Sequence, residues 1–294
     1  MWLDTEFSPI EFGDQRLIKR FKEIMNGFMK KAQCSISSTF DTWSSIKGCY
    51  RFFSNDKVNS KLIIDAHITS TLSRIEQEER QILIIHDTTY IDYKNRKKTV
   101  DLDCITQNLQ SKNIAKGLIL HNSFAVNDIS IPLGLVNQKF IERKEINAAS
   151  KKVKKHLIHN NPVEEKESYR WIEAIKSFQR LECSKQKDVV HITDREGDFY
   201  ELYRECSDLD AQFLIRASHN RAINKIKRRE PCEDKAFDYF RFLKPEAKIT
   251  IDIQVNKETK YRKAELSIAF KKFTLPPPPN RTVKKDGEKL HNID

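Results

Sequence analysis

Several signatures of common protein classes are missing from this chain of 294 residues. It has only 7 glycines and contains neither GxGxxG nor GxxxxGK[ST], which argues against a nucleotide-binding fold built on glycine-rich loops. Its 6 cysteines are scattered and include no CxxC pair. That pattern is neither a zinc-ribbon spacing nor a secreted disulfide scaffold. A reducing cytoplasm is therefore the simplest setting.

Long apolar runs are missing as well. The N-terminus, MWLDTEFSPIEF, carries acids where a signal peptide needs a basic region followed by an apolar run. Stretches such as LII and GLIL are too short to span a bilayer. We expect a soluble protein without a membrane partner, and 38% hydrophobic residues are enough to form a core.

The net charge of +11 is unevenly distributed. Residues 1–75 have 11 basic and 8 acidic side chains, and residues 76–215 have 22 and 23. Residues 216–294 have 20 and 11, a net charge of +9. A uniform excess would be ordinary solubility charge. The polarised excess fits a surface that binds a polyanion.

Apolar spacing predicts helices in the first 75 residues. The three stripes are Leu17, Phe21, Ile24 and Phe28; Phe40, Trp43, Tyr50 and Phe53; and Leu62, Ile63, Ala66 and Leu72. Ser37, Ser38 and Thr39 are candidate caps for the second helix. The stripes are expected to form core. The basic residues between them, which include Arg16, Lys19, Arg20 and Arg51, face either a phosphate backbone or water.

From residue 81 the pattern changes to strands. Three strands are predicted from ILIIHDTTYIDY, GLILHNSFAV and ISIPLGLV. An amphipathic helix is predicted from the spacing of Trp171, Ile175, Phe178 and Leu181. Two further strands are predicted from DVVHIT and QFLIR. Together they predict a mixed α/β layer. KITIDIQV and AELSIAF alternate with period two and predict a β-rich appendage.

Two acids follow apolar strands in this region. Asp87 comes after the run Ile82–His86, and Asp194 comes after Val189–Thr193. If the strands are neighbours, the two carboxylates form a site for Mg²⁺, which two-metal phosphodiester chemistry uses. Glycosidases also use two acids, but the basic ends do not suggest a neutral sugar.

The residues around these acids have simpler interpretations too. Thr193 and Glu196 have the spacing of a capping box that starts a helix with Phe199 and Leu202 on its apolar face. His121 lies in an apolar run, where a hydrogen-bonded core histidine is expected more often than a metal ligand.

An ordered set of segments resembles bacterial insertion-sequence transposases of the cut-and-paste DDE type. The segments are HDTTY (86–90), KGLILHNSF (116–124), EEKESYRWI (164–172), ITDREGDFYE (192–201) and RASHNR (216–221), preceded by FGDQRLIKRF and SIKGCYRFFSN. The resemblance implies a catalytic core that is RNase H-like, the fold shared with retroviral integrases. It also implies a helical end-binding domain.

The resemblance further implies residue roles. Asp87 and Asp194 would be catalytic metal ligands for Mg²⁺ or Mn²⁺, with Arg195, Glu196 and Asp198 in support. Arg216, His219 and Arg221 would contact the transposon end. The partners would be double-stranded DNA, as transposon ends and target, and a second copy in a synaptic complex. The setting would be the bacterial cytoplasm, beside the nucleoid.

The chain departs from the family at the third acid. That acid lies on a helix with the pattern Y-x2-R-x3-E-x6-K, and no tyrosine after Asp194 is followed by arginine three residues later. We therefore expect a form truncated before its catalytic Glu. The alternatives are a DNA-binding fragment that occupies ends without cutting, and a nuclease with a different third ligand.

The domains predicted from these observations are three. Residues 1–75 form a helical DNA-binding domain and residues 76–215 an incomplete RNase H-like core. Residues 216–294 form a basic, partial β insertion.

Overall fold

The computed structural model describes residues 2–93, 103–107, 114–141, 162–223, 235–255, 261–278 and 293. The helices are α1 (Trp2–Glu6), α2 (Gln15–Lys30), α3 (Ile36–Thr39), α4 (Trp43–Phe53), α5 (Ser60–Gln77), α6 (Tyr169–Gln179), α7 (Glu182–Gln186), α8 (Tyr200–Asp208) and α9 (Ala236–Arg241). The strands are β1 (Ile82–Asp92), β2 (Asp103–Gln107), β3 (Ile114–Asn127), β4 (Pro132–Ile141), β5 (Val189–Thr193), β6 (Gln212–Ile215), β7 (Ala247–Gln254) and β8 (Tyr261–Ile268).

The N-terminal helices enclose an aromatic core, which confirms the predicted helical unit. Phe21 of α2 packs edge-to-face against Phe7, with 4.9 Å between the ring centroids, and against Phe12 at 5.8 Å. Helix α2 begins after Asp14, whose side chain accepts a hydrogen bond from the Arg16 N–H. Its predicted apolar stripe is confirmed, because Phe21 and Ile24 are buried.

The predicted caps of the next long helix were wrong. Residues 37–39 lie inside the short helix α3, which Ser35 caps. The N-cap of α4 is Thr42, whose side chain accepts a hydrogen bond from the Ser45 N–H. A serine-rich run offers several cap candidates, and the tertiary fold selects among them.

The predicted apolar side of α4 was also wrong. Trp43, Tyr50 and Phe53 are 68%, 54% and 50% exposed, whereas Cys49 and Phe52 are buried. Cys49 and Phe52 are three residues apart and share the opposite side of the helix. Helix α4 therefore presents aromatic side chains to the surface.

The described strands of the main sheet have the order β2–β3–β1–β5–β6, with β4 also paired to β3. β1 is antiparallel to β3 and parallel to β5, and β5 is parallel to β6. The strands predicted from the sequence are confirmed as a mixed α/β layer, and β2 was not predicted. No helix in the described ranges is both long and apolar enough to cross a membrane.

One face of this sheet carries the core. Ile82, Ile84 and Val189 are buried there with Ile75 of α5 and Phe178 of α6. Alternate residues point to the second face, where Ile85 is 38% exposed and Leu214 is 62% exposed. Asp87, two residues after Ile85 on β1, shares this second face.

Helix α5 lies across the predicted boundary between residues 75 and 76. Ile75 belongs to the sheet core, and the Arg74 Nε donates a hydrogen bond to the Leu133 carbonyl at 2.6 Å. The helical region and the sheet therefore share α5.

The predicted β-rich appendage contains an antiparallel hairpin of β7 and β8, which pairs Ala247 with Ile268 and Gln254 with Tyr261. One face of the hairpin is apolar, and Ile249 and Leu266 on it are 44% and 41% exposed.

Candidate active site

The two predicted catalytic acids belong to hydrogen-bonded neighbouring strands: Asp87 lies within β1, and Asp194 comes directly after β5. The parallel register of β1 and β5 ends with His86 opposite Thr193, both buried. One residue further on, Asp87 and Asp194 are both exposed. The alternation along β1 places Asp87 on the second face, and Asp194 follows Thr193 at the turn where the neighbouring β5 ends. Neighbouring strands are about 4.7–4.9 Å apart.

The turn after β5 is built differently from its prediction. Asp194 is itself the N-cap of the 3₁₀ turn Arg195–Gly197, and its Oδ1 accepts a hydrogen bond from the Glu196 N–H at 2.9 Å. The proposed Thr193–Glu196 capping box was therefore wrong. It failed because the chain makes a 3₁₀ turn first, and α8 begins only at Tyr200. Its apolar face holds the buried Leu202.

A glycine is required inside this turn. A Cβ atom on Gly197 would lie 2.2 Å from the Thr193 Oγ1. The close approach lets the turn fold back on the end of β5 and holds Asp194 at the strand terminus.

The acid pair offers oxygen ligands suited to a hard divalent cation. Asp87 Oδ2 accepts a weak hydrogen bond from the Thr89 hydroxyl at 3.4 Å. Asn122, opposite Asp87 on β3, accepts a hydrogen bond from Gln138 through its side-chain oxygen at 2.9 Å. Mg²⁺ commonly uses one or two carboxylates and completes its shell with water and phosphate, so this donor set fits it.

The fit is limited to two protein carboxylates. Within the described residues, no group of three or more His, Cys, Asp or Glu side chains is arranged to hold a metal ion.

Glu196 has a partner that the sequence did not predict. Its Oε2 lies 2.6 Å from the Nη2 of Arg170 on α6. The Nε of the same guanidinium donates to the Thr88 hydroxyl at 3.0 Å. Arg170 was part of a motif used for the resemblance, but only the fold reveals that it connects β1 to the turn after β5.

Three histidines lie buried on the core face behind the acids. His121 bonds the Thr88 hydroxyl through Nδ1 at 2.9 Å, as predicted for a core histidine. His86 Nε2 and His191 Nδ1 are 2.9 Å apart. At the two ends of this pair, His86 Nδ1 bonds the Ser123 hydroxyl and His191 Nε2 accepts from the Gln179 amide.

These histidines are neutral at physiological pH. Burial lowers the pKa of His191 to about 4, and burial followed by the nearby Arg170 charge lowers the pKa of His121 to about 4. Burial, then His191 and His121, lowers the pKa of His86 well below 6.5. The His86–His191 pair is satisfied when each of its two rings donates once and accepts once, whereas the buried His121 Nε2 has no hydrogen-bond partner among the described residues.

Asp198 is the buried anchor of the segment that follows β6. Its Oδ2 accepts hydrogen bonds from the N–H groups of Ser218 and His219 at 2.6 and 2.8 Å. Its Oδ1 accepts from the Tyr203 hydroxyl and from Arg221 Nη2, at 2.8 and 2.7 Å.

The charge of Asp198 is strongly favoured by these contacts. Burial alone would raise the pKa of Asp198. The Ser218 N–H, the Arg221 guanidinium and the Tyr203 hydroxyl outweigh burial and hold the pKa well below its ordinary value. Asp198 therefore supports the site as an organiser of the neighbouring loop.

The predicted basic contacts fall into two groups. Arg221 is committed to Asp198, and its guanidinium lies over the Tyr203 ring at 5.8 Å from the centroid. This ion pair opposes the predicted direct contact with DNA, because the guanidinium is held at the buried carboxylate. Arg216 is exposed. The His219 side chain is 67% exposed, but its Nδ1 lies 3.1 Å from Asp198 Oδ2, so it also contacts the buried carboxylate.

A cleft of about 460 Å³ brings several of these residues together at the carboxyl ends of the strands. Its lining includes Arg170, Arg195, Glu196, Asp198 and His219. Arg195 is exposed and its guanidinium has no partner in the described parts of the chain. The residues that line the cleft include neither Asp87 nor Asp194, so its exposed cation Arg195 belongs to the turn after β5 and not to the acid pair.

The four predicted basic residues of the helical unit are at least partly exposed, as predicted. Lys19 and Arg51 are exposed. Arg16 has a side chain that is 91% exposed but pairs with Asp14, and Arg20 pairs with Glu23 at 2.9 Å. On α4, the Lys47 ammonium lies 5.3 Å from the centroid of the exposed Trp43 ring.

Comparison with known proteins gives a match at the N-terminal end. Residues 1–58 match the family model described as transposase DNA-binding. A solved structure, "Crystal structure of a pre-cleavage Mos1 transpososome", matches 67% of this chain at 10% sequence identity, with a TM-score of 0.23. The match spans 59% of that chain. Residues 1–58 are therefore similar to a transposase DNA-binding domain.

Proposed function

We propose that this chain is a DDE-type transposase polypeptide of the bacterial insertion-sequence kind, with an RNase H-like core. The observation that supports the proposal is the parallel pairing of β1 and β5, whose last registered pair, His86 and Thr193, comes one residue before Asp87 and Asp194. An exposed acid on β1 and another directly after the neighbouring β5 would suit a shared metal.

The chain's own residues have distinct tasks in this proposal. Asp87 and Asp194 hold the cation, and Arg195 and the exposed edge of His219 attract the DNA phosphates. When bound, Mg²⁺ activates the attacking oxygen and stabilises the leaving oxygen in phosphodiester hydrolysis and strand transfer. Asp198 keeps the loop that carries His219 next to the cleft.

The helical unit supplies the contact with double-stranded DNA. Lys19 and Arg51 are exposed cations, and the Trp43 and Lys47 pair adds an aromatic and a basic group to the same unit. Phosphate contacts release counterions, so affinity for duplex DNA should fall steeply with salt.

The two-carboxylate set favours a second candidate for this chain alone, a DNA-binding form that does not cut. In-line phosphoryl chemistry uses two ions, and within the described residues no group of three or more His, Cys, Asp or Glu side chains is placed to hold a metal ion. We propose that cleavage requires a third acid on the open second face of the sheet. A helix with the pattern Y-x2-R-x3-E-x6-K would supply it.

A nicking assay tests the proposal with the full chain and supercoiled DNA that contains the element's ends. We expect DNA binding without Mg²⁺-dependent nicking. Nicking should appear when a segment carrying the third acid is supplied, and Asp87→Asn should abolish it. Asp128→Asn is the control, because Asp128 makes a surface pair with Arg80 at 3.4 Å. Strong nicking by the unaided chain, lost in Asp87→Asn, would show that another third ligand exists.

A further inference from the structure

Arg170 is a charged side chain in an unusually enclosed position. Only 9% of its side chain is exposed. Burying a guanidinium is unfavourable unless its N–H groups find acceptors. Arg170 finds three of them, since Nη1 also donates to the Glu167 carbonyl at 2.7 Å.

Two of these acceptors belong to the chain segments that carry the two acids, one within β1 and one in the turn after β5. Thr88 comes directly after Asp87 on β1, and Arg170 Nε donates to its hydroxyl at 3.0 Å. Glu196 comes two residues after Asp194, and Arg170 Nη2 donates to its carboxylate at 2.6 Å. One side chain of α6 therefore joins the middle of β1 to the turn after β5 from the core face, while Asp87 points to the second face.

We propose that Arg170 is a positioning residue that fixes the separation of Asp87 and Asp194, and so sets the affinity of the pair for a divalent cation. This rests on the proposed function, in which the two acids share a metal. The acids themselves are exposed, and their nearest described hydrogen bonds come from Thr89 and from the Glu196 N–H. Their relative position depends on the backbone around Thr88 and Glu196, the two residues that Arg170 bridges.

Arginine is the side chain suited to this bridge. Its planar guanidinium presents five N–H donors in a fixed geometry, whereas lysine is a point charge on a flexible stem. The Thr88 hydroxyl accepts from Arg170, and its own hydrogen is then directed to His121 Nδ1, 2.9 Å away. The bridge is thus continued into β3.

Hydrogen exchange measured by mass spectrometry tests the bridge without any metal. In Arg170→Gln, peptides covering 86–92 and 194–199 should exchange at least about tenfold faster, while peptides covering α6 keep their wild-type rates. Arg170→Lys should recover only part of the protection. Arg180→Gln is the matched control, because Arg180 is an exposed arginine at the end of the same helix.

Mn²⁺ titration of the same variants, followed by electron paramagnetic resonance, tests the consequence. We expect Arg170→Gln to weaken Mn²⁺ binding about tenfold or more, the effect typical of groups that orient metal ligands. Arg180→Gln should bind as the wild type does.

The two readouts separate the possible failures. Unchanged exchange at both strand ends in Arg170→Gln, or faster exchange spread over all of α6, would overturn the bridge. If the wild type and Asp87→Asn bind Mn²⁺ equally, the shared metal of the proposed function fails, while the exchange rates still decide whether Arg170 joins the strand ends.

Discussion

Replacing Asp198 by asparagine exchanges one oxygen atom for an NH₂ group, yet it should lower the free energy of unfolding substantially. The carboxylate is fully buried, and each of its oxygens accepts hydrogen bonds from two or more donors. Asparagine keeps one oxygen and adds an NH₂ group. In either orientation that NH₂ faces donors, either the Ser218 and His219 N–H groups or Tyr203 and Arg221.

The magnitude follows from the loss of one partner of a buried ion pair. Such a loss costs about 3–5 kcal/mol, because the remaining charge stays buried. Arg221 keeps 25% of its side chain exposed and can partly hydrate, so we expect about 3 kcal/mol. For a chain of this size that corresponds to a fall in Tm of about 6–12 °C.

Differential scanning calorimetry of the full chain at pH 7.5 measures this effect. Asp128→Asn removes a solvent-exposed pair, worth about 0–1 kcal/mol, and serves as the control. A Tm for Asp198→Asn that equals the control's would refute the assignment of Asp198 as the anchor of the 218–221 segment.

Three further predictions concern stability and DNA binding. Between pH 6.5 and about 4, His86, His121 and His191 become protonated in the unfolded chain but stay neutral in the folded chain, because their pKa values are lowered there. The free energy of unfolding should therefore fall as pH decreases, by up to about 1.4 kcal/mol per pH unit for each histidine; a Tm that stays constant from pH 7 to pH 5 would contradict this. Gly197→Ala should lower the free energy of unfolding by about 1–3 kcal/mol in urea titrations, because its methyl group meets Thr193, and a neutral result would show that the turn relaxes freely. Lys19→Ala should reduce the salt slope of duplex binding by about 1, whereas Lys22→Ala, whose ammonium pairs with Asp4, should change it less.

Much of the fold was predictable because strands and helices leave different periodicities. The β1 and β5 segments were recognised from continuous apolar runs, and α2 from its 3.6-residue spacing. The exposed side of α4 was not predictable, because Trp43 and Tyr50 also have helical spacing. Their exposure depends on which side of the helix meets α2, and that is a tertiary property.

The candidate site was predictable only in part, for a similar reason. An acid directly after an apolar strand is visible in the sequence, and two such acids suggested Asp87 and Asp194. Arg170 and Asn122 carry no such local signal. Both become part of the site because α6 and β3 pack beside β1, and contacts between residues 82 positions apart, such as Arg170 with Thr88, have no periodic signature.

Mn²⁺ binding by the acid pair is the most direct test of the proposed function. The full chain with duplex DNA should be titrated with Mn²⁺ and followed by electron paramagnetic resonance, with Asp128→Asn as control. We expect that the wild type and the control bind the ion alike, that Asp87→Asn and Asp194→Asn each lose it, and that the double variant loses nothing more. Equal Mn²⁺ binding by the wild type and both single variants would contradict the claim that Asp87 and Asp194 share a metal.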